Sequence, residues 1–290
     1  MTSSPVHQSP PPDLQAWLEA AAKRPLPQVL ETELDGIHFV VKRRRASLGG
    51  GLSYVLRYLR AFFLGLGCKL FLGEFPRPGV LLRNGLDFEA QRLRVLLADD
   101  CRVPAIWHEA PGLLVLEHVG EDLSSVIRHG SAETRSRWAR LAGRDLAEFH
   151  RRGHCHGGAQ IRNLTIRNDE LWRIDFEENI GEALSPPLAQ AYDLFQLVAS
   201  LVSLRKLPAE IMPGLARDMV QGYFEVNPDA RVRDRLARLG RVLGGVARLL
   251  RPLLGRLSSR DVQGFFRVAD LLRDLTRTDF RPDSRTDPRP

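Results

Sequence analysis

One segment of the sequence combines residue types that can hold a metal ion together with phosphate groups. It runs from His156 to Asn163, and Asp175 and Glu177 follow it after two short apolar runs. A turn at Asn168-Asp169-Glu170 separates these runs, so they predict a β-hairpin whose two ends meet. Amide and carboxylate oxygens are ligands that Mg²⁺ prefers, and Mg²⁺ in turn binds nucleotide phosphates. The spacing therefore predicts a Mg²⁺ site formed by Asn163 and Asp175.

The same segment resembles the catalytic and metal-binding loops of the protein-kinase-like superfamily. The similarity is to its small-molecule branch: aminoglycoside phosphotransferases, choline kinases, lipopolysaccharide-core kinases, and the atypical kinases associated with tRNA modification. These proteins carry His-Gly-Asp, an Asn five residues after that Asp, and then Asp-Phe-Glu or Asp-Trp-Glu. Here Asn163 lies five residues after Gly158, and Asp175 opens Asp-Phe-Glu twelve residues after Asn163. The resemblance covers roughly residues 35–200.

The resemblance implies an α+β fold of the protein-kinase-like type, with a small N-terminal sheet lobe and a mainly helical C-terminal lobe. Hydrophobic periodicity agrees, because it predicts strands at 36–42, 105–108 and 113–117 in the first part of the chain. In the last part it predicts a helix from Ala132 to His150 and a helical region from Pro187 to about Leu275. The N-terminal lobe is expected over 13–119 with a helical insertion near 52–72, and the C-terminal lobe over 120–276. Residues 1–12 and 277–290 are rich in Pro, Ser, Thr and charge, so they predict disordered tails.

The chain departs from the family at one catalytic position. The resemblance assigns catalytic positions to His156, Gly158, Asn163 and Asp175. Gly158 stands where the family has an Asp that accepts or orients the proton of the attacking hydroxyl. Losing a general base costs on the order of 10²–10⁴ in rate, although positioning and charge do most of the work in phosphoryl transfer. Candidate substitute bases are His154, His156 and Glu177, and His156 more readily serves to orient the loop backbone.

A lysine at the end of an apolar strand is the candidate phosphate ligand. Lys42, in Val-Val-Lys, resembles the strand lysine of the small lobe, and Glu89 resembles its helix partner. The 47 positions between them exceed the usual separation, and no glycine-rich phosphate loop precedes Lys42. Arg83 is a rival for the same role, so the sequence leaves both alternatives open.

Two further stretches resemble parts of the same fold. The strand ending at Glu117, followed by His-Val-Gly, resembles the strand and hinge over which adenine binds, which implies ATP contacts at Glu117 and Val119. Asp193, in Ala-Tyr-Asp-Leu, resembles the helix residue that steadies the catalytic loop through hydrogen bonds. The implied cofactors are therefore ATP and Mg²⁺.

The charge of the chain bears on its partners. A net charge of +7 and a pI of about 9.8 favour anionic partners. The segment 52–72 is amphipathic with arginines on its polar face, so it predicts peripheral membrane contact or packing on the small lobe. No strong nucleic-acid motif occurs. The cluster His150, His154, Cys155 and His156 matches no strong zinc pattern. Three dispersed cysteines and the lack of a secretory signal predict a cytoplasmic protein, peripheral to the inner face of the membrane if 52–72 binds lipid.

These observations lead to one leading function and two alternatives. The leading prediction is an ATP-dependent phosphotransferase acting on a hydroxyl of a small molecule or an envelope glycolipid, attenuated by Gly158. The first alternative is a nucleotide-binding pseudokinase that acts as a regulatory or scaffold protein. The second is an RNA-associated kinase-like protein, supported by the basic pI and by the arginine density of residues 214–260.

Overall fold

The computed structural model describes residues 4–21, 27–44, 69, 73–76, 85–178, 180–257 and 259–278. Within these residues the protein is α+β, with a small antiparallel sheet near the N-terminus and mostly helices after it, consistent with a two-lobed layout. Apart from Lys69, the predicted helical insertion near 52–72 lies outside the described residues, and so does Arg83.

The N-terminal sheet is antiparallel throughout, with the strand order β1-β2-β4-β3. Its strands are β1 Val29–Leu34, β2 Ile37–Arg43, β3 Ile106–Ala110 and β4 Leu113–Glu117. Asp35 and Gly36 join β1 to β2, both with positive φ (52° and 78°), which is the backbone that a two-residue hairpin turn requires. The sequence predicted β2, β3 and β4. It missed β1, an edge strand with partly exposed side chains.

Among the described residues, one helix packs against each face of this sheet. Alternation along β2 and β4 sends Phe39, Val41 and Val115 to the face that packs against α1, Leu14–Ala21. Val40, Leu114 and Leu116 point to the opposite face and pack with α2, Leu86–Ala98. Lys42 follows the same alternation as Val40, so its side chain lies on the α2 side. The period of the strand therefore determines which helix can offer Lys42 a partner.

The C-terminal part is helical, with one short sheet inserted. Its elements are β5 Glu121–Asp122, α3 Leu123–His129, α4 Ala132–Arg151, β6 Leu164–Arg167, β7 Glu170–Arg173, α5 Ile180–Ala183, α6 Pro186–Ser203, α7 Met212–Val226, α8 Ala230–Leu254 and α9 Arg260–Thr278. The predicted helix from Ala132 and the helical region after Pro187 are confirmed. None of the described helices is both long enough and apolar enough to cross a membrane.

Helices α4 and α7 cross closely at the centre of this part. Gly143 faces the α7 backbone, and a methyl group there would overlap the carbonyl oxygen of Met219. Gly222 of α7 has the reciprocal contact with the carbonyl oxygen of Arg140. The two glycines bring the helices together, and the C-terminal end of α4, which leads into the candidate site, is thereby anchored in the main core.

Candidate active site

The predicted hairpin forms, and it brings Asn163 and Asp175 to the same end of two paired strands. β6 and β7 are antiparallel, with Leu164 opposite Arg173. One step further, the N–H of Ile174 donates to the carbonyl of Asn163 at 3.0 Å. Asn163 and Asp175 therefore flank the open end of the hairpin.

Two charged side chains from distant parts of the sequence, Lys42 and Glu89, meet beside Asp175. The ammonium of Lys42 on β2 donates to both carboxylate oxygens of Glu89 on α2, at 2.7 and 3.0 Å. The same ammonium donates to Asp175 Oδ1 at 2.9 Å. Glu89 is fully buried and Lys42 nearly so. The Lys42–Glu89 pair, which the sequence left open, therefore forms across 47 positions. Lys42 also binds Asp175, so the three side chains form one network.

Lys42 keeps its charge in this environment. Burial disfavours the ammonium, but the negative charges of Glu89 and Asp175 and their hydrogen bonds outweigh that effect and raise the pKa of Lys42. A protonated lysine at this position can bind a phosphate oxygen as a donor and as a positive charge.

The acidic groups here offer the ligand type that Mg²⁺ selects. Carboxylate oxygens of Glu89, Asp175 and Glu177 lie within 4.8 Å of one another. The amide nitrogen of Asn163 donates to the carbonyl of Gly158 at 2.8 Å. The other end of the same amide is the Oδ1 oxygen, which is the atom that can act as a metal ligand. Hard oxygen donors of this kind suit a small divalent cation. Asp175 also has a φ of 69°, a left-handed backbone that is uncommon for residues other than Gly and often marks ligand sites.

A buried aspartate holds the loop before the hairpin. Asp193 of α6 accepts the N–H groups of His156 and Gly157, at 2.6 and 2.8 Å, and His150 Nε2–H at 3.1 Å. Burial alone would raise the pKa of Asp193, but the hydrogen bond and charge of His150 and the backbone donor of His156 bring it below its ordinary value. The predicted role of Asp193 in steadying this loop is confirmed.

His156 is committed to the backbone. Its Nδ1 accepts from the Gly158 N–H at 3.2 Å, its Nε2–H donates to the carbonyl of Ile174 at 3.1 Å, and its ring stacks on Phe176. Burial lowers the pKa of His156 to about 4. The ring is therefore neutral at physiological pH and has no nitrogen left for an acceptor proton, so His156 positions the loop. Another candidate base, His154, is bound to Asp99 at 2.8 Å.

The buried, neutral His156 should make the protein less stable in acid. The unfolded chain binds a proton at the ordinary pKa of 6.5, whereas the folded chain resists protonation down to about 4. The contribution of His156 is therefore complete above pH 6.5 and is lost as the pH falls towards 4. Between about pH 7.5 and pH 5 we expect a loss of about 2 kcal/mol in unfolding free energy, measured by urea denaturation.

A variant pair isolates this effect. His156→Asn should reduce the loss between the two pH values, with His150 and His118 supplying what is left, because the pKa of each is also lowered in the folded protein. His129→Asn, at an exposed position, should leave the pH dependence as it is in the wild type. An equally steep loss in His156→Asn would show that His156 is protonated freely in the folded state.

Arg92 of α2 belongs to this site and was not predicted. Its guanidinium donates to the carbonyls of His156 at 3.0 Å and Glu178 at 2.8 Å, and also to the carbonyl of Cys155. Arg92 lies three residues after Glu89, on the same side of the helix. One helix therefore positions Lys42 through Glu89 and the loop backbone through Arg92. The sequence signal that could have identified Arg92 is its position three residues after Glu89, the predicted partner of Lys42.

Two groups at the predicted adenine contacts, the carboxylate of Glu117 and the carbonyl of Val119, are hydrogen-bonded to other groups of the protein. The carboxylate of Glu117 is buried and accepts four donors, from His7 at 2.7 Å, the Gln8 N–H at 2.8 Å, Arg167 at 2.5 Å and the Ala105 N–H at 3.3 Å. The carbonyl of Val119 accepts the Thr165 hydroxyl at 2.7 Å. Any adenine contact here would use other backbone groups of this segment.

The contacts of Glu117 also place the N-terminal segment. The low apolar content of residues 1–12 predicts a disordered tail, and this stays a prediction; in the structure, His7 and Gln8 of this segment contact Glu117. His7 donates to Glu117 and stacks edge-on against Trp172 at 5.5 Å. Burial raises the pKa of Glu117, but the hydrogen bonds from Gln8, His7 and Arg167 outweigh it and lower that pKa. This segment has few apolar groups, and it is attached to the protein by the hydrogen bonds that His7 and Gln8 donate to the buried Glu117 carboxylate.

The histidine and cysteine cluster does not fit a zinc site. His150, Cys155 and Asp193 have ligand atoms within 4.8 Å of one another. Both nitrogens of His150 are occupied, by the Tyr223 hydroxyl at 2.7 Å and by Asp193 at 3.1 Å. Burial raises the pKa of the Cys155 thiol to about 12, so the thiolate that zinc requires is disfavoured. A hydrogen-bond network explains the cluster.

No protein-family model matches this chain, and no curated protein matches it as a relative.

Proposed function

We propose that this chain is an ATP-dependent phosphotransferase with a protein-kinase-like fold. It transfers the γ-phosphoryl group of ATP to a hydroxyl of a small molecule or an envelope glycolipid. The observation that carries this proposal is the ammonium of Lys42, bound at once by Glu89 and by Asp175. Such a group is suited to aligning nucleotide phosphates beside a metal-binding carboxylate.

Each of these side chains has a separate role in binding ATP and Mg²⁺. Lys42 donates to phosphate oxygens, and Glu89 keeps it charged and directed at Asp175. Asp175 and Asn163 would hold Mg²⁺, which when bound neutralises and orients the phosphates. Asp193 and His156 keep the intervening loop in shape through backbone hydrogen bonds. The nucleotide base would lie along the backbone of the segment from Glu117 to Val119, as the resemblance implies.

Charge and composition support an anionic acceptor. The chain carries a net charge of +7, which favours phosphorylated or otherwise acidic substrates. An envelope glycolipid satisfies this requirement, and the segment 52–72 would give the protein peripheral access to it at the inner face of the membrane.

A second candidate, a nucleotide-binding pseudokinase, is favoured by Gly158. No side chain at this position can accept a proton, although the groups that would hold nucleotide are present. Such a protein would bind ATP and act through partner contacts.

Nucleotide binding and turnover separate these candidates. ATP with Mg²⁺ at about 100 times its Kd should stabilise the protein by about 2.7 kcal/mol, measured as a rise in Tm. A phosphotransferase should also release phosphate slowly from ATP, with water as the acceptor. Binding without phosphate release supports the pseudokinase, and the absence of both signals rules out both candidates.

Removing Lys42 should weaken nucleotide binding by at least about tenfold, the equivalent of one lost charge-assisted hydrogen bond. Lys42→Met alone would leave Glu89 buried without its cation, a change that costs about 3–5 kcal/mol of stability. The double variant Lys42→Met/Glu89→Gln removes both charges and isolates the effect on binding. ATP affinity should be measured by isothermal titration in the presence of Mg²⁺.

The exposed Lys206 provides the matched control. Lys206→Met should bind ATP as the wild type does. An unchanged ATP affinity in Lys42→Met/Glu89→Gln would exclude Lys42 from the nucleotide site.

A further inference from the structure

The C-terminal half of helix α8 presents leucine side chains to the solvent. Leu249 and Leu253 are 74% and 76% exposed, and Leu257, just after the helix, is 47% exposed. Leu249 and Leu253 are four residues apart, so they lie next to each other on one side of the helix. Apolar residues on the other side pack with α9, namely Ala247, Leu250 and Leu254. The three exposed leucines are therefore not used in the core of the protein.

The same stretch of the chain is rich in arginine and has no acidic residue. Asp234 and Asp261 are the nearest acidic residues on either side of it, and seven arginines lie between them: Arg235, Arg238, Arg241, Arg248, Arg251, Arg256 and Arg260. Arg241, Arg248 and Arg256 are exposed, and none of these three forms an ion pair within the described part of the chain. The stretch therefore offers positive charge to a negatively charged partner.

The acidic group that α9 places against this stretch is already bound. Asp270 lies 2.7 Å from Arg251 and 3.3 Å from Arg273, and the guanidinium of Arg251 lies over the ring of Phe266 at 5.0 Å. These contacts hold α8 against α9. Because two arginines share the carboxylate of Asp270, it does not cancel the charge on the exposed side of α8.

The exposed arginines and leucines share one side of α8. At about 100° per residue, Arg241 and Arg248 point within about 20° of each other, and Leu249 and Leu253 lie about 80° and 120° round the helix from Arg241. A helix of this kind can lie in the plane of a membrane surface. Its leucines then enter the boundary of the acyl chains, and its arginines meet acidic head groups.

The exposed leucines distinguish a lipid surface from other partners of an arginine-rich surface. Nucleic-acid interfaces are more polar and more basic than protein interfaces, so a strip of leucines would find no apolar partner there. A second copy of this chain, bound through the same surface with two-fold symmetry, would bring like charges together. An acidic bilayer offers an apolar interior to the leucines and phosphates to the arginines.

We propose that the exposed side of α8 binds the surface of a bilayer that contains acidic lipids. This α8 surface consists of Arg241, Arg248, Leu249, Leu253, Arg256 and Leu257. It is separate from the segment 52–72, and it gives the protein a membrane contact of its own. The inference does not depend on the phosphotransferase function, because none of these residues belongs to the proposed nucleotide site.

The first test removes the leucines. The full chain should float with vesicles of phosphatidylglycerol and phosphatidylcholine, and it should not float with phosphatidylcholine alone. Leu249→Gln/Leu253→Gln should lower the partition coefficient at least about tenfold, since the burial of one leucine supplies that much. Its Tm should be unchanged, because both positions are exposed and Gln is a good helix former. Val95→Gln, at an apolar residue of α2 that is 56% exposed, should bind as the wild type does.

The second test removes charge. Binding of the wild type should weaken as salt rises, because salt screens the attraction to the head groups. Arg241→Gln/Arg248→Gln should bind acidic vesicles about 30-fold more weakly at low salt, from about fivefold for each arginine, and should depend less on salt. Arg151→Gln/Arg217→Gln removes the same charge from exposed positions of α4 and α7. This control should keep the affinity and the salt dependence of the wild type.

A third variant locates the contact. Tryptophan prefers the membrane interface, so Leu253→Trp should bind acidic vesicles at least as tightly as the wild type. The emission that it adds should be quenched when the vesicles contain brominated phosphatidylcholine. Val95→Trp should add emission that these vesicles do not quench.

The outcomes separate a lipid surface from its alternatives. Failure of the wild type to float with acidic vesicles overturns the inference, and so does wild-type binding by both α8 variants, which would assign lipid to another part of the chain. A dimer in solution that Leu249→Gln/Leu253→Gln dissociates would make this side of α8 an interface between copies instead. Binding of single-stranded RNA without binding of vesicles would make it a nucleic-acid surface. The stabilisation by ATP with Mg²⁺ tests the phosphotransferase proposal separately from each of these results.

Discussion

Asp175→Asn should lower Mg²⁺-dependent ATP hydrolysis by on the order of 10³-fold, at the upper end of what one electrostatic group contributes. The substitution removes the negative charge that Lys42 contacts at 2.9 Å and that would bind the metal ion. Asn also tolerates the left-handed backbone of Asp175, with its φ of 69°, so the loop keeps its conformation. Lys42 retains its two hydrogen bonds to Glu89.

The control for this variant lies in the hairpin turn. Asp169 has a φ of 58° and an exposed side chain, so Asp169→Asn is the same chemical change on a similar backbone. It should leave the hydrolysis rate unchanged. The stabilisation by ATP with Mg²⁺ should disappear in Asp175→Asn and persist in Asp169→Asn. Hydrolysis at the wild-type rate by Asp175→Asn would mean that another group holds the metal.

Asp193→Ala should lower the unfolding free energy by about 3–5 kcal/mol, the usual effect of removing one partner from a buried charged network. The carboxylate is fully buried and accepts the N–H groups of His156 and Gly157 as well as His150. Without it, these donors are buried without an acceptor, and each then costs its desolvation. Urea denaturation at neutral pH measures the loss.

Two further variants sharpen this result. Asp193→Asn retains one acceptor oxygen and should lose less stability than Asp193→Ala. Asp218→Ala removes a partly exposed carboxylate that accepts a single hydrogen bond from Ser136, so it should cost about 1 kcal/mol. A loss below about 1 kcal/mol in Asp193→Ala would show that the loop does not depend on this aspartate.

The elements that the sequence predicts well are those with a strong local signal. The hairpin was predicted because two apolar runs flank a turn of polar residues, and Asn168 and Asp169 have the positive φ values, 52° and 58°, that such turns require. Helix α4 was predicted from its spacing of apolar residues, and it extends over Ala132–Arg151. The edge strand β1 and the helix α1 were missed. β1 leaves polar side chains partly exposed, and α1 spans only eight residues.

The sequence by itself determined the local frame of the site: the strand that contains Lys42, the helix that contains Glu89, and the hairpin between Asn163 and Asp175. Periodicity and turn chemistry act over a few residues, so they can be read without the fold. Only the tertiary structure decided that Lys42 meets Glu89 across 47 positions and that Asp175 joins them. The tertiary structure alone decided the positions of His7, Arg92 and Glu178. Single polar side chains are not part of a helix or strand periodicity, and their partners are the buried backbone and carboxylate groups that need hydrogen bonds in the folded protein.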